Sequence, residues 1–390
     1  MERKEQLLAI THLGDEYEKY LGAVVPPVFL NSLHIFPTHE RYMNADPLGE
    51  EYIYGRVSNP TVRLLERKLA AIEGGSQAAV FASGMAAATS AILTVCKAGD
   101  HIVSMRDVYG PIKRFMTGMG TPRLNIGISY VGGQDLGELE RAIQPNTRLI
   151  ILESPATFVF SVVDLRAIAD IARRRGVKTY IDNTYSTPLF QNPLELGIDI
   201  VMHTLSKYIG GHSDVIGGAL VSKDAELIRD VYQHAREWFG GIMGPMEAWL
   251  VIRGLRTLDA RLCRHQDSAL RVAQYLEKHL KVRKVYYTGL ASHPQAGLIA
   301  AQMRGHTGLM SLELDAPAEK ALSFVDGLRL FGKGCSWGGF ESLAICPLYQ
   351  ASSEEMAFLG LRERGLIRLH VGLEGADSLL EDLDAALRGV

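Results

Sequence analysis

The sequence predicts an α/β protein: a large domain built on a mostly parallel sheet, then a smaller α/β domain. Three observations lead there. Strand-like apolar runs alternate with helical segments from Ala78 onward, which calls for a mostly parallel sheet with helices on both faces. After Gly244-Pro245 the pattern changes: a long helical stretch carries Leu255, Leu258 and Leu262 at core spacing and opens a second series of strands. The length, 390 residues, also exceeds what one core usually holds. The expected organisation is an arm over 1–50, a large domain over 51–245 and a C-terminal domain over 246–390.

Composition narrows the function classes. With 47 % hydrophobic and 22 % charged residues the chain reads as an ordinary globular protein, and no segment is apolar and long enough to span a bilayer. The amino terminus, MERKEQLLAITHLGDEYEKY, is charged and lacks the apolar core and cleavage site of a secretory signal, so a cytoplasmic protein is expected. A net charge of −3 with interspersed signs makes no basic field for nucleic acid; small molecules and copies of the same chain are the expected partners. Cys96, Cys263, Cys335 and Cys346 are widely spaced, without Cys-x-x-Cys or paired-histidine spacing, so neither zinc nor a disulfide framework is indicated.

Taken in order, residues 1 to about 50 show little periodicity, and Pro26-Pro27 and Pro37 interrupt what there is, as in an extended arm. Tyr54, Arg56 and Asn59-Pro60-Thr61 precede Val62-Leu65-Leu69-Ile72, whose spacing is helical; by themselves Tyr54 and Arg56 read as a helix-entry turn with a solvated arginine. Ala78 to Phe81 is a strand, Ser83-Gly84-Met85 a turn and Ala86 to Leu93 a helix. Free N–H groups at a helix start bind anions, and Gly84 would let a phosphate approach the backbone, although a plain strand-to-helix turn has the same local signature. Asp100 to Met105 is the next strand. It is followed by Tyr109, which on its own could be a core aromatic. Ile126 to Val131, Arg148 to Leu152, Lys178 to Ile181, Ile198 to Met202 and Ala219 to Ser222 complete seven strand-like runs, with helices such as Leu136-Ile143 and Leu165-Arg174 between them.

Ligands of such a sheet belong at its strand ends. The run Ile198 to Met202 leads into Thr204, Ser206, Lys207 and the pair Gly210-Gly211, which places a lysine where a buried strand opens into a tight loop. Desolvation lowers the pKa of an ammonium and so favours a neutral amine able to form a Schiff base with an aldehyde. A second strand ends in Asp182. An aspartate for a ring nitrogen and a lysine for an aldehyde together suggest pyridoxal 5'-phosphate (PLP), and the hydroxyls of Thr204 and Ser206 make a phosphate cup at Gly84 the better account of that turn. In the second domain, strands are expected at Val282-Tyr287, Leu309-Leu314, Ser342-Cys346 and Leu366-Val371. Arg368 stands in the last of these, where an isolated arginine would more often be a surface charge.

The stretches YGRVSNPT, FASGMAA, DVYG, ESP, DNTYSTP, HTLSKYIGGHSDVIGG, SWGGFESL and LIRLHVGLE occur in order over nearly the whole chain and resemble the PLP-dependent enzymes of Cys/Met metabolism, the cystathionine synthases and lyases. The resemblance implies an aminotransferase-like fold of type I with a seven-stranded, mostly parallel sheet. It implies that Lys207 carries the cofactor and moves the Cα proton, and that Asp182 partners the ring nitrogen. Tyr109 would stack on the ring and assist proton transfer at the leaving group, while Gly84, Met85, Thr184, Thr204 and Ser206 line the cofactor. It further implies that the arm wraps a neighbouring subunit, and that Tyr54 and Arg56 reach the phosphate of the neighbour's cofactor. Each dimer would then have shared active sites, and two dimers would form a tetramer. Arg368 would clamp the substrate carboxylate, with Glu153, Thr157, Cys335, Ser336 and Trp337 around the substrate.

Several positions lean toward the bacterial β-lyases: Gly55 in Tyr-Gly-Arg, Trp337 in Ser-Trp-Gly-Gly, and His370 in Leu-Ile-Arg-Leu-His. Asn59-Pro60-Thr61 and the stretch from Gly244 to Leu250 resemble the γ-branch instead. Cys335 stands where the γ-enzymes usually have glutamate, and Thr157 where asparagine is usual. The expected activity is a carbon–sulfur lyase acting on cystathionine or a related sulfur amino acid. The alternatives are γ-elimination or γ-replacement on a homoserine-type substrate and, at the margin, a binding module that keeps the fold without catalysis.

Overall fold

A computed structural model describes residues 2–46, 49, 51–362 and 364–390 of the chain. The chain divides into two compact units: residues 1–153, 164–210 and 214–256 form the first, and residues 154–163, 211–213 and 257–390 the second. The expected boundary at 245/246 falls instead at 256/257, because the helix Pro245–Arg256 packs against the helix Pro60–Glu73 of the first unit.

The first unit is built on seven strands: β1 (Gln77–Phe81), β2 (His101–Met105), β3 (Gly127–Val131), β4 (Thr147–Glu153), β5 (Lys178–Asp182), β6 (Ile200–Thr204) and β7 (Gly218–Ser222). Their order is β1-β7-β6-β5-β4-β2-β3; β2 to β6 pair in parallel, and β7 is antiparallel to both neighbours. Because β1 also runs parallel to β6, the chain leaves β1, β2, β4, β5 and β6 at one edge of the sheet. The strands are apolar along both faces, with every residue of β2 and β7 buried, as expected for a sheet covered on both sides. Helix signals sit where the sequence places them. Asn59 accepts from the N–H groups of Thr61 and Val62, Pro60 opens the helix Pro60–Glu73, and Gly74 ends it at φ 77°.

The amino-terminal residues depart from the expected arm. Arg3–His12 is an α-helix docked on the first unit, with Ile10 buried. Gln6 is also fully buried and donates to the carbonyls of Ile72 (2.7 Å) and Pro188 (2.8 Å). A buried glutamine does not register in an apolar periodicity, which is why the helix escaped the sequence pattern. Beyond it lie the short helices Tyr17–Tyr20 and His39–Met43, and between them Leu21, Val24, Leu30, Leu33 and Ile35 are exposed. Met1, Pro47, Leu48 and Glu50 of the expected arm lie outside the described residues.

The second unit has four strands, β8 (Val282–Tyr286), β9 (Leu309–Leu314), β10 (Leu343–Ile345) and β11 (Ile367–His370), in an antiparallel sheet of order β10-β11-β9-β8. Its core joins Met310, Leu312 and Leu369 from the sheet with Val272 of the helix Leu258–Glu277, Phe324 of Ala318–Gly327 and Leu383 of Ala376–Arg388.

Candidate active site

Asp182 is the last residue of β5 and lies in register with Met202 on one side and Glu153 on the other. Its carboxylate accepts the N–H of Thr184 at 3.0 Å, and the hydroxyl of Thr184 in turn accepts the N–H of Thr204 at 2.8 Å, so two strand ends are tied through one threonine. Burial raises the Asp182 pKa, against the opposing pull of the Thr184 hydrogen bonds and of His203 and Lys207. A carboxylate held in so dry a place is stabilised by a cation brought against it, which suits a protonated ring nitrogen.

Lys207 stands three residues beyond β6. Its N–H donates to the Thr204 carbonyl at 3.2 Å, and the Gly210 N–H donates to the Leu205 carbonyl at 2.8 Å, closing a compact turn over the buried Leu205, Tyr208 and Ile209. A Cβ at Gly254 would lie 2.3 Å from the Gly210 carbonyl oxygen, so the helix Pro245–Arg256 backs this turn at glycine distance.

At the end of β1, Ser83 caps the helix Gly84–Val95 by accepting the Ala86 N–H at 3.0 Å. A Cβ at Gly84 would stand 2.2 Å from the Thr204 hydroxyl, and one at Gly218 would stand 2.3 Å from the Ser83 carbonyl. The first turn of that helix, with Gly84 and Met85, is thus brought against Thr204 by two close approaches that side chains would block. Ser206 lies two residues further on, its hydroxyl accepting the Gly217 N–H at 3.0 Å. Free helix N–H groups and a hydroxyl around a glycine cradle fit a phosphate, so the residues present match PLP at both of its ends.

Tyr109, 47 % exposed, follows β2. Its N–H donates to the Glu153 carboxylate at 2.7 Å, so Glu153, expected near substrate, holds the backbone of Tyr109. Arg56 donates to the carbonyl of Glu237, and its guanidinium lies 5.6 Å from the centre of the exposed Tyr54 ring.

Five further residues singled out in the sequence belong to the second unit. Arg368, on β11, donates to the carbonyls of Cys335 (2.8 Å) and Ser336 (3.4 Å). Cys335 is an exposed free thiol, and Ser336 and Trp337 are half-buried. Thr157 precedes Phe158 and Phe160, both at positive φ (72° and 52°), and its carbonyl accepts the Val159 N–H at 3.0 Å.

The profile of one family, described as Cys/Met metabolism PLP-dependent enzyme, matches residues 8–388. The chain belongs to that family. It is 37 % identical to cystathionine gamma-lyase of Dictyostelium discoideum, over 97 % of this chain and 96 % of the relative, and equally identical, with the same coverage, to cystathionine beta-lyase of Coxiella burnetii. The crystal structure of cystathionine gamma synthase from Xanthomonas oryzae pv. oryzae in complex with aminoacrylate and cysteine superposes with a TM-score of 0.91 at 36 % identity, covering 98 % of this chain and 97 % of that one. The protein is therefore a PLP-dependent enzyme of Cys/Met metabolism with the fold expected from its motifs.

Membership does not account for every feature of the site. His203, between Met202 and Thr204 on β6, places its Nε2 2.7 Å from the Glu73 carboxylate, and both side chains are buried. The pair braces the strand that leads to Lys207 from the far end of the helix Pro60–Glu73. Sequence reasoning missed it; the available signal was a histidine inside the apolar run of β6, which is rarely buried there without a partner. Among the described residues no group of three or more His, Cys, Asp or Glu could hold a metal ion, and no helix is long and apolar enough to cross a membrane.

Proposed function

We propose that the protein is a carbon–sulfur lyase acting on cystathionine or a related sulfur amino acid and releasing a keto acid, ammonia and a thiol. The observation that carries this is the joint placement of Lys207, the buried Asp182 and the Gly84–Thr204 cradle at one sheet edge. Relatives bearing both γ-lyase and β-lyase names agree with it.

In this reading Asp182 holds the ring-nitrogen proton of PLP, and the helix start at Gly84 and Met85, with Thr204 and Ser206, holds the phosphate. When bound, the cofactor accepts the electron pair left at Cα. Arg368, which holds the Cys335 and Ser336 carbonyls, receives the substrate carboxylate in a bidentate fork, and Trp337 and Thr157 are assigned to the substrate with it. The Lys207 amine removes the Cα proton. The Tyr109 hydroxyl gives its proton to the departing sulfur as the C–S bond breaks with its electron pair on sulfur; Glu153 serves by fixing the Tyr109 backbone. Water then releases ammonia and the keto acid.

A second reading, γ-elimination or γ-replacement on a homoserine-type substrate, is favoured by Asn59-Pro60-Thr61, which here cap the helix Pro60–Glu73, and by the likeness to a cystathionine gamma synthase. The exposed apolar row from Leu21 to Ile35, together with Tyr54 and Arg56, supports a homodimer with shared sites, and two such dimers a homotetramer. A cytoplasmic location suits the sequence.

The test is to assay the purified protein with PLP on cystathionine, cystine, methionine and O-acylhomoserine, with and without a thiol. Pyruvate from cystathionine supports β-elimination, and 2-oxobutanoate the γ-reading. No keto acid from any of them overturns the lyase assignment.

A further inference from the structure

From Arg368 to Glu374 the chain runs beside the loop 335–342 and holds it at successive points. Arg368 takes the carbonyls of Cys335 and Ser336. Nε2 of His370 stands 3.0 Å from the Gly338 nitrogen and 3.1 Å from the Gly339 carbonyl oxygen. The Leu373 N–H donates to the Phe340 carbonyl at 2.8 Å, and the Ser342 N–H and hydroxyl donate to the Glu374 carboxylate at 2.7 and 2.8 Å. His370 is 1 % exposed, with the His265 ring 5.2 Å away.

Position along the loop gives His370 its weight. Two adjacent glycines impose the least backbone restraint of any dipeptide, so the peptide planes just before Gly338-Gly339 are only as well oriented as the contacts that pin the pair. Those planes include the Ser336 carbonyl, which with that of Cys335 receives the Arg368 guanidinium. Either neutral tautomer ties His370 to the pair: with Nδ1 protonated, Nε2 accepts the Gly338 N–H, and with Nε2 protonated, it donates to the Gly339 carbonyl.

We propose that His370 is a positioning residue that, by pinning Gly338-Gly339, sets the Cys335 and Ser336 carbonyls and through them orients Arg368 for the α-carboxylate of the substrate. The inference rests on the reading of Arg368 as the carboxylate clamp. A positioning role differs from a packing role in one respect: removing His370 weakens substrate capture through Arg368 and leaves the cofactor site as it was.

The experiment compares His370→Ser, His370→Gln, Arg368→Ala and the His370→Ser/Arg368→Ala double variant as holoenzymes, measuring kcat and KM on L-cystathionine and the affinity for PLP. His370→Ser, too short to reach Gly338, should raise KM about tenfold with kcat and PLP affinity within about twofold, the loss expected for one buried hydrogen bond and its strain. His370→Gln, with an acceptor at similar reach, should recover most of the loss. In the Arg368→Ala background His370→Ser should add little, since both act through one group. If His370→Ser does not fold, His370→Asn, whose amide also stops short of Gly338, replaces it with the same expectations. An unchanged KM, or effects that multiply in the double variant, overturns the proposal. Arg368→Ala with an unchanged KM instead overturns the clamp reading itself.

Discussion

The two sheets present functional residues in different ways. In the mostly parallel sheet the residues proposed to hold the cofactor lie where β1, β2, β5 and β6 end, each strand end bringing one or two of them. In the antiparallel sheet one strand, β11, and the residues that follow it to Glu374 run along a single loop and hold it contact by contact. In the proposed reading the first arrangement seats the cofactor and the second shapes a loop for the substrate, through hydrogen bonds between residues some thirty positions apart.

The sharpest test of this division is Lys207→Ala. It should cost about 10²–10⁴-fold in kcat, the usual range for a general base, with PLP no longer fixed to the protein by borohydride. A protein that never turns yellow with PLP would break the reading of the first sheet altogether.

Next in size is the effect of His265, whose ring lies 5.2 Å from that of His370. Burial holds its pKa down to about 4, and its Nδ1 lies 2.8 Å from the Val371 carbonyl. Between about pH 4 and 6.5 the unfolded chain binds a proton there that the folded chain refuses. Stability therefore rises with pH across that window and falls on acidification, by up to about 3 kcal/mol. Denaturant unfolding from pH 4 to 7 should show this slope in the wild type, and His265→Gln should make it shallower while the other histidines whose pKa burial lowers, His101, His293 and His306, keep their share.

Gly218→Ala tests the close approach in the first unit. Its methyl meets the Ser83 carbonyl, a backbone atom that cannot swing aside, so a loss of about 1–3 kcal/mol is expected, together with weaker PLP binding. Unchanged PLP titration would mean that the cradle tolerates a shift of the helix start.

The smallest effect is expected at Cys335. A glutamate there would offer the distal ammonium of cystathionine a charge-assisted bond, worth about 1.5 kcal/mol at the lower end of such contacts. Cys335→Glu should move product from pyruvate toward 2-oxobutanoate, while Cys335→Ser keeps the original ratio. An unchanged ratio in folded Cys335→Glu would place substrate choice elsewhere, with Thr157 and Trp337 next.

Legibility in the sequence followed the same division. The seven strands of the large sheet match the apolar runs to within about two residues at each end, as local patterning allows. Asp182 was readable as an acid closing an apolar run, and Lys207 as a lysine in the tight loop just after another. The helix Arg3–His12 was not, since the residue that anchors it is a glutamine, and the domain boundary shifted because the packing partner of Pro245–Arg256 lies almost two hundred positions upstream.

Sequence alone established an α/β protein of the PLP-dependent Cys/Met-metabolism family, with an aspartate closing one strand and a lysine just past another as the expected partners of a ring nitrogen and an aldehyde. That much follows from residue type, local period and the order of the motifs. Only the tertiary structure decided that Glu153 supports the backbone of Tyr109, that Glu73 braces His203, that Gly218 lets Ser83 approach, and that His370 pins the glycines before Phe340. Each of these joins side chain or backbone groups far apart along the chain, and a contact of that kind leaves no periodic mark on the segments it connects.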